Sequence, residues 1–223
     1  PSYSQLSRRA KKLPVAIGAP KAQGRLFLVF DSTGLKVYGE GEWKVRQHGY
    51  SKRRTWRKLH LGVDEATGRV HAQALTENGK GDGDAQQFPA LLDQVASPVE
   101  RVGADGAYDT YEIWRLLQQR AIQGLIPPKE NALYWVDDQD QLLEIERNDI
   151  LEKIEQKGRK QWKQESGYHR RSLAETAMYR FKTLFGNQLS ARNFENQQTE
   201  AAIKILCLNK MTALGMPLSQ KIA

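Results

Sequence analysis

The chain has 223 residues, 39% of them hydrophobic and 27% charged, and its 34 Lys and Arg against 26 Asp and Glu give a formal net charge of +8. A chain of this length buries roughly 70% of its unfolded surface, which predicts one substantial core, or one core with a small appendage. The hydrophobic fraction is too high for a disordered tail. No apolar run approaches the roughly 20 residues of a membrane span, and no leader peptide is recognisable. We therefore expect a soluble, cytoplasmic protein. The single cysteine, Cys207, excludes an internal disulfide, and its apolar helical context favours a buried structural thiol.

The charge is strongly divided along the chain. Residues 1–60 carry +11, residues 61–156 carry −11 and residues 157–223 carry +8. The densest basic run, residues 44–60, holds seven Lys or Arg and no acid, with aromatic rings between them. Such a run attracts nucleic-acid phosphates, but it is equally typical of a solvated sheet edge. A basic, acidic, basic order also suits a metal-using enzyme that acts on nucleic acid.

The first predicted elements are strands. Residues 1–24 are basic and rich in Pro and Gly, and we interpret them as a connector or arm without regular structure. Residues 26–30 form an apolar run typical of a buried central strand, which we expect to end at Asp31. Residues 56–63 and 69–75 flank a five-residue turn with Gly and predict a β-hairpin.

Helices and strands alternate after the hairpin. Asp84 and Gln87 predict a capping box at the start of a helix. The pattern then predicts a strand, a helix and a short strand at residues 99–105, 109–120 and 121–126, followed by a mainly helical insert at residues 129–166. The order predicts a mixed α/β fold with at least one parallel strand pair.

Asp31 and Asp105 each follow an apolar strand. Ligands collect at the carboxyl ends of the strands in such sheets. A single Asp after a strand is more often a turn or cap residue, but two of them after two strands make a shared site as plausible as two caps.

A third acid lies on a helix predicted over residues 168–185. Its period of 3.6 residues puts Leu173, Ala177, Phe181 and Leu184 on a buried face. The opposite stripe carries Tyr168, Arg171, Glu175 and Lys182. The alternative is an exposed face with an Arg171–Glu175 pair worth only about 0.2–0.5 kcal/mol.

Three carboxylates on separate elements suit a hard divalent cation, and two such ions roughly 3.5–4 Å apart promote in-line displacement at a phosphodiester. The sequence lacks the motifs of phosphate-binding loops, dinucleotide-binding folds and HExxH zinc sites. His60 and His71 fall in the hairpin strands, where a structural role is favoured.

The spacing Tyr168-(2)-Arg171-(3)-Glu175-(6)-Lys182 resembles the Y-(2)-R-(3)-E-(6)-K signature of DDE transposases from bacterial insertion sequences. VFDSTGLKVYGEGEW at residues 29–43 and RVGADGAYDT at residues 101–110 resemble the regions around the first two catalytic Asp residues of that family. The pattern is most similar to the insertion-sequence-five group, and the resemblance runs from about Pro1 to about Leu208.

The resemblance implies a ribonuclease H-like mixed sheet flanked by helices, in residues 25–208, between the arm and a C-terminal tail at residues 209–223. It implies that Asp31, Asp105 and Glu175 are catalytic and bind two Mg²⁺ ions, for which Mn²⁺ can substitute. Tyr168, Arg171 and Lys182 would contact DNA at the transposon end.

The reaction implied is cleavage at the inverted repeats and transfer of the 3′-hydroxyl into target DNA, by a homodimer on paired ends in a bacterial nucleoid. We assign further DNA binding to the basic run, at Lys52, Arg53, Arg54, Arg57 and Lys58. Two alternatives are a structure-specific nuclease of the same fold and a non-catalytic DNA-binding derivative.

Overall fold

The computed structural model describes residues 2–19, 24–37, 56–77, 79 and 83–215. Its helices are α1 (Tyr3–Ala10), α2 (Asp84–Asp93), α3 (Tyr111–Gln119), α4 (Glu146–Lys157), α5 (Arg159–Glu165), α6 (Ser172–Phe185) and α7 (Phe194–Leu214). The strands are β1 (Leu26–Val37), β2 (Trp56–Asp64), β3 (Val70–Glu77), β4 (Val99–Gly103), β5 (Gln123–Leu125) and β6 (Gln188–Leu189). Short 3₁₀ turns, Gly106–Tyr108 and Tyr168–Arg171, precede α3 and α6.

The described strands form one mixed sheet in the order β3-β2-β1-β4-β5, and β6 pairs with the far end of β1. Strands β1, β2 and β3 are antiparallel neighbours, whereas β4, β5 and β6 run parallel to their partners. Helices cover both faces. The mixed α/β fold expected from the sequence, a mixed sheet flanked by helices, is confirmed.

The sheet separates two apolar cores, because successive side chains of a strand point to opposite faces. On β1, Leu28 and Phe30 belong to the core under α2 and α3, with Phe88, Tyr108 and Trp114. Val29 and Leu35 belong to the other core, together with Phe181 of α6 and Ile205 of α7. Asp31 follows the same alternation as Val29, so it lies on the face covered by α6.

Strand β1 does not end at Asp31, as the apolar run suggested. It continues to Val37 because β2 pairs with it as far as Lys36↔Trp56. The parallel partner β4 ends earlier, at the pair Val29↔Gly103. Asp31 is therefore inside a strand, but it lies just beyond the end of the neighbouring parallel strand.

The sequence pattern missed the first helix, and the last helix extends further than expected. Helix α1 lies inside the expected arm, where Ser2 and Gln5 form a capping box. It is fastened to α7 by a hydrogen bond from Thr199 Oγ1 to the Ala10 carbonyl. Helix α7 runs to Leu214, past the boundary expected at Leu208, and carries Cys207 half-buried rather than buried. Within the described ranges, no helix has both the length and the apolar character needed to cross a membrane.

The insert is helical only in its second half, in α4 and α5. A buried ion pair fastens it to the core: Arg147 Nε donates to Asp109 Oδ1 at 2.9 Å, and the two side chains are 4% and 2% exposed. Asp109 also accepts from Trp114 Nε1, and the Arg147 guanidinium stacks on Trp135. Because Asp109 follows the Gly106–Tyr108 turn, this network also holds the segment that begins at Asp105.

Candidate active site

Asp31 lies within β1, and Asp105 lies two residues beyond the end of the adjacent parallel strand β4. Val29 of β1 pairs with Gly103 of β4, and each of these residues is followed two positions later by an aspartate. The Ser32 backbone N–H donates to Asp31 Oδ1 at 2.7 Å. The Ala107 backbone N–H donates to Asp105 Oδ1 at 2.8 Å, so Asp105 also caps the turn.

Arg171 joins Asp31 to Glu175. Its Nη1 donates to Asp31 Oδ2 at 3.1 Å, and its Nη2 donates to Glu175 Oε1 at 2.7 Å. The Asp31 and Arg171 side chains are 17% and 23% exposed, whereas Glu175 is 55% exposed. The Arg171–Glu175 pair expected from the spacing is present, but its guanidinium also reaches across to the sheet.

The electrostatics of the site show that the acids influence one another. Burial raises the pKa of Asp31; the Ser32 N–H and Arg171 oppose that rise, and the charges of Asp105 and Glu175 add to it. Burial likewise raises the pKa of the nearby Tyr108 phenol, and Asp84, Asp31 and Asp105 raise it further. The region is thus a partly buried concentration of negative charge.

These oxygen donors have the chemistry that Mg²⁺ and Mn²⁺ prefer. In the arrangement described, however, no three His, Cys, Asp or Glu side chains of the described residues are placed so that they could hold a metal ion. The positive charge between Asp31 and Glu175 is the Arg171 guanidinium instead. The donor set fits a hard cation, provided that Arg171 moves.

Tyr168 and Lys182 occupy different surroundings. Tyr168 is only 9% exposed, and its ring packs against Trp162 of α5, with a centroid distance of 5.9 Å. It is not on the exposed stripe because residues 168–171 form a 3₁₀ turn, which changes the angular position of its side chain. Lys182 is half-exposed and lies two helical turns after Glu175 on the same face of α6.

The buried face of α6 is rotated from the one expected. Ala177 and Phe181 are buried as predicted, and Ala174 and Met178 complete the face. Leu184, expected to be buried, is 47% exposed.

Two cations of the basic run are engaged within the fold. Arg57 donates to Gln197 Oε1 at 2.8 Å, contacts Glu77 at 3.1 Å and stacks on Phe194. Lys58 Nζ lies 2.8 Å from Asp84 Oδ2. The other three residues assigned to DNA binding, Lys52, Arg53 and Arg54, lie outside the described residues.

Asp84 and His60 form a polar pair that the sequence pattern missed. Asp84 is the first residue of α2, while Gly83 and Gln86 make the capping interaction expected of Asp84 and Gln87. Its Oδ1 lies 3.1 Å from Nδ1 of the fully buried His60. The usable signal was His60, which falls between the apolar residues of a buried strand and therefore needs polar partners.

The Asp84 pair predicts a pH-dependent contribution to stability. Burial favours the neutral acid, but hydrogen bonds with His60, Lys58 and Ser32 outweigh burial and lower the pKa of Asp84 below its ordinary value of 3.8. A depressed folded-state pKa stabilises the fold above the unfolded pKa, and this stabilisation is lost as the pH falls. Asp84→Asn should therefore reduce the free energy of unfolding at neutral pH by about 1–3 kcal/mol.

Urea unfolding at several pH values tests this prediction. The difference between wild type and Asp84→Asn should be constant at neutral pH and shrink as the pH falls through 3.8. A difference that stays unchanged below that pH would show that the carboxylate charge is not responsible.

The chain is similar to known proteins over most of its length. A family described as "Transposase DDE domain" matches residues 22–210, and a second family of the same description matches residues 1–40. A solved piggyBac transposase, in a synaptic complex with hairpin DNA, aligns with 84% of this chain at 10% identity and a TM-score of 0.43. The chain corresponds to 46% of the length of that protein. Since the first match spans most of the sequence, the chain belongs to the DDE-domain transposases.

Proposed function

We propose that this chain is the catalytic domain of an insertion-sequence transposase of the insertion-sequence-five group. It cleaves DNA at the ends of the element and transfers the resulting 3′-hydroxyl into target DNA. The observation that supports this most strongly is that Asp31 lies just beyond the end of β4, next to the segment that begins at Asp105, and is connected to Glu175 through Arg171. The three acids come from separate elements and offer carboxylate oxygens, the ligands that hard cations prefer.

Asp31, Asp105 and Glu175 are the residues that would hold two Mg²⁺ ions, or Mn²⁺ in their place. When bound, such ions activate the attacking water or hydroxyl and stabilise the leaving oxygen at a phosphodiester. Burial raises the pKa of Asp31 and the charges of Asp105 and Glu175 add to that rise, so a cation that offsets the repulsion between the acids is favoured.

The other signature residues are assigned to substrate binding and positioning. Arg171 and Lys182 lie on or beside the face of α6 that carries Glu175, and they would contact phosphates of the transposon end. The Tyr168 ring is buried, so we assign it to positioning: the Arg171 guanidinium lies 5.9 Å from its centroid. The substrates would be double-stranded inverted repeats and target DNA, bound by a homodimer on paired ends in the bacterial nucleoid.

A strand-transfer assay tests the function. The purified chain is mixed with Mg²⁺, a target plasmid, and a duplex that ends in the terminal repeat flanking the gene and carries a free 3′-hydroxyl. We expect covalent joining of the pre-cut end to the plasmid. Nicking of uncut ends without joining would instead indicate a nuclease of the same fold. DNA binding with neither reaction would indicate a non-catalytic derivative.

The salt dependence of DNA binding separates the two parts of the basic run. The logarithm of DNA affinity falls with the logarithm of salt concentration, by about 0.9 for each phosphate contact. Replacing Lys52, Arg53 and Arg54 together by Ala should reduce this slope by about 2–3. Arg57→Ala should leave the slope unchanged, because that guanidinium is already bound by Glu77 and Gln197.

Fluorescence anisotropy with a labelled duplex at a series of salt concentrations measures both slopes. Equal slopes for wild type and the triple variant would mean that residues 52–54 do not contact DNA. A reduced slope for Arg57→Ala would mean that Arg57 leaves its intramolecular partners when DNA binds.

A further inference from the structure

The Arg171 guanidinium occupies the position between Asp31 and Glu175. It donates to Oδ2 of one carboxylate and to Oε1 of the other, at 3.1 and 2.7 Å. Bonds of this kind between charged groups are about twice as strong as neutral hydrogen bonds. A metal ion held by these two carboxylates would lie beside the positive guanidinium, so the guanidinium and the metal would compete for the carboxylates.

We propose that Arg171 keeps divalent metal out of the free protein and is drawn away by a DNA phosphate, so that metal and DNA bind cooperatively. This inference rests on the proposed function and adds its regulation. This exchange of partners requires only a movement of the Arg171 side chain. Arg171 lies at the junction between the 3₁₀ turn and α6. Planar guanidinium groups bind phosphate as readily as carboxylate, often through two parallel bonds.

The position of Arg171 supports an exchange of partners. Its side chain is 23% exposed, so a phosphate approaching the face of α6 can reach it without unfolding the site. Glu175 is 55% exposed, which leaves one end of the bridge open to solvent. Once Arg171 has turned to a phosphate, Asp31 and Glu175 lose their counter-charge, and their affinity for a cation increases.

Thermodynamic linkage requires that DNA and Mn²⁺ change each other's affinity equally. If DNA raises the affinity for Mn²⁺ by some factor, Mn²⁺ must raise the affinity for DNA by the same factor. Couplings of this kind usually amount to about 5–150-fold. The inference therefore predicts two equal numbers from two independent titrations.

The test is isothermal calorimetry with Mn²⁺, on the whole chain, with and without a short duplex containing the terminal repeat. Titration of Mn²⁺ into the duplex alone is subtracted. Arg171→Ala removes the bridge, and Arg170→Ala is the matched control because it removes the same charge one residue away. Arg170 pairs with Glu65 and makes no contact with Asp31 or Glu175 in the described structure.

In wild type and Arg170→Ala, the duplex should tighten Mn²⁺ binding at least about fivefold. In Arg171→Ala, Mn²⁺ should bind the free protein more tightly than it binds the wild type, and the duplex should add little. If the duplex tightens Mn²⁺ binding equally in all three proteins, Arg171 does not gate the site and the inference is wrong.

Two further outcomes separate this inference from the function on which it rests. If wild type binds Mn²⁺ with the same affinity with and without DNA, and binding is lost in Asp31→Ala, the metal site stands but the gate does not. If wild type binds no Mn²⁺ under either condition, the proposed function fails together with the gate.

Discussion

Replacing Asp31, Asp105 or Glu175 by Ala should reduce Mg²⁺- or Mn²⁺-dependent nicking of a terminal-repeat duplex by more than about 100-fold. Substitution of residues that only support metal ligands costs about 10–100-fold, and loss of a ligand itself costs more. Binding of the duplex in the absence of metal should be retained, because removing an acid from a DNA-binding surface does not weaken its attraction for phosphate. Single-turnover nicking and fluorescence anisotropy measure the two properties separately.

Glu65→Ala is a suitable control for these three variants. Glu65 lies in the turn between β2 and β3. It is also an acid paired with arginine, but its partners are Arg101 and Arg170. Its loss should leave nicking close to that of wild type. Unchanged nicking in all three site variants would contradict the assignment of the acids.

Arg147→Met should lower the free energy of unfolding by about 3–5 kcal/mol, the largest stability effect that we expect. Removing one partner of a buried ion pair leaves the other as an uncompensated charge, and Asp109 is only 2% exposed. Arg147 also donates to the Leu133 carbonyl at 2.8 Å, so the first half of the insert loses one of its attachments to α4. Urea denaturation followed by circular dichroism measures the change.

The matched control is Arg120→Met, which removes an arginine from an exposed pair with Asp93. Surface pairs of this kind contribute about 0–1 kcal/mol, so this variant should unfold close to wild type. Equal destabilisation in the two variants would show that burial of the Arg147–Asp109 pair is not what matters. A double variant with both Arg147 and Asp109 made apolar should recover part of the loss.

The sequence predicted the sheet well because strand patterning is local. The run at residues 26–30 is apolar on both sheet faces, and both faces are covered by helices. The end of β1 could not be predicted from the local sequence. The strand extends to Val37 because it pairs with β2 and β6, which are distant in sequence. The start of α1 was missed although Ser2 and Gln5 form a recognisable capping box.

The candidate site was predicted only in part, because local sequence patterns do not reveal contacts between distant residues. Asp31 and Asp105 could be placed at one edge from strand patterns, and Arg171 and Glu175 from their spacing of four residues. The second contact of Arg171, with Asp31, joins residues 140 positions apart, and no spacing reveals it. Tyr168 was misplaced because a continuous helical period was assumed through a 3₁₀ turn that begins after Gly167, whose φ is +73°.

The insert contains charged residues that attach it to the core, and its charge pattern did not reveal them. Residues 137–155 hold eight acids. Within that run, Arg147 is buried and makes the ion pair with Asp109, and Glu146 Oε2 accepts from the Gly124 N–H of the edge strand β5 at 2.7 Å. Burial raises the pKa of Glu146, although the hydrogen bond from Gly124 opposes the rise. Two of the charged residues in this stretch thus attach the insert to the core.

A crystal structure of the chain with a terminal-repeat duplex and Mn²⁺ tests the central claim most directly. The account predicts anomalous density within coordination distance of the carboxylates of Asp31, Asp105 and Glu175, with Arg171 turned toward a DNA phosphate. Mn²⁺ bound elsewhere would contradict the account. So would a structure with bound DNA in which Arg171 still bridges Asp31 and Glu175 and no ion lies at the three acids.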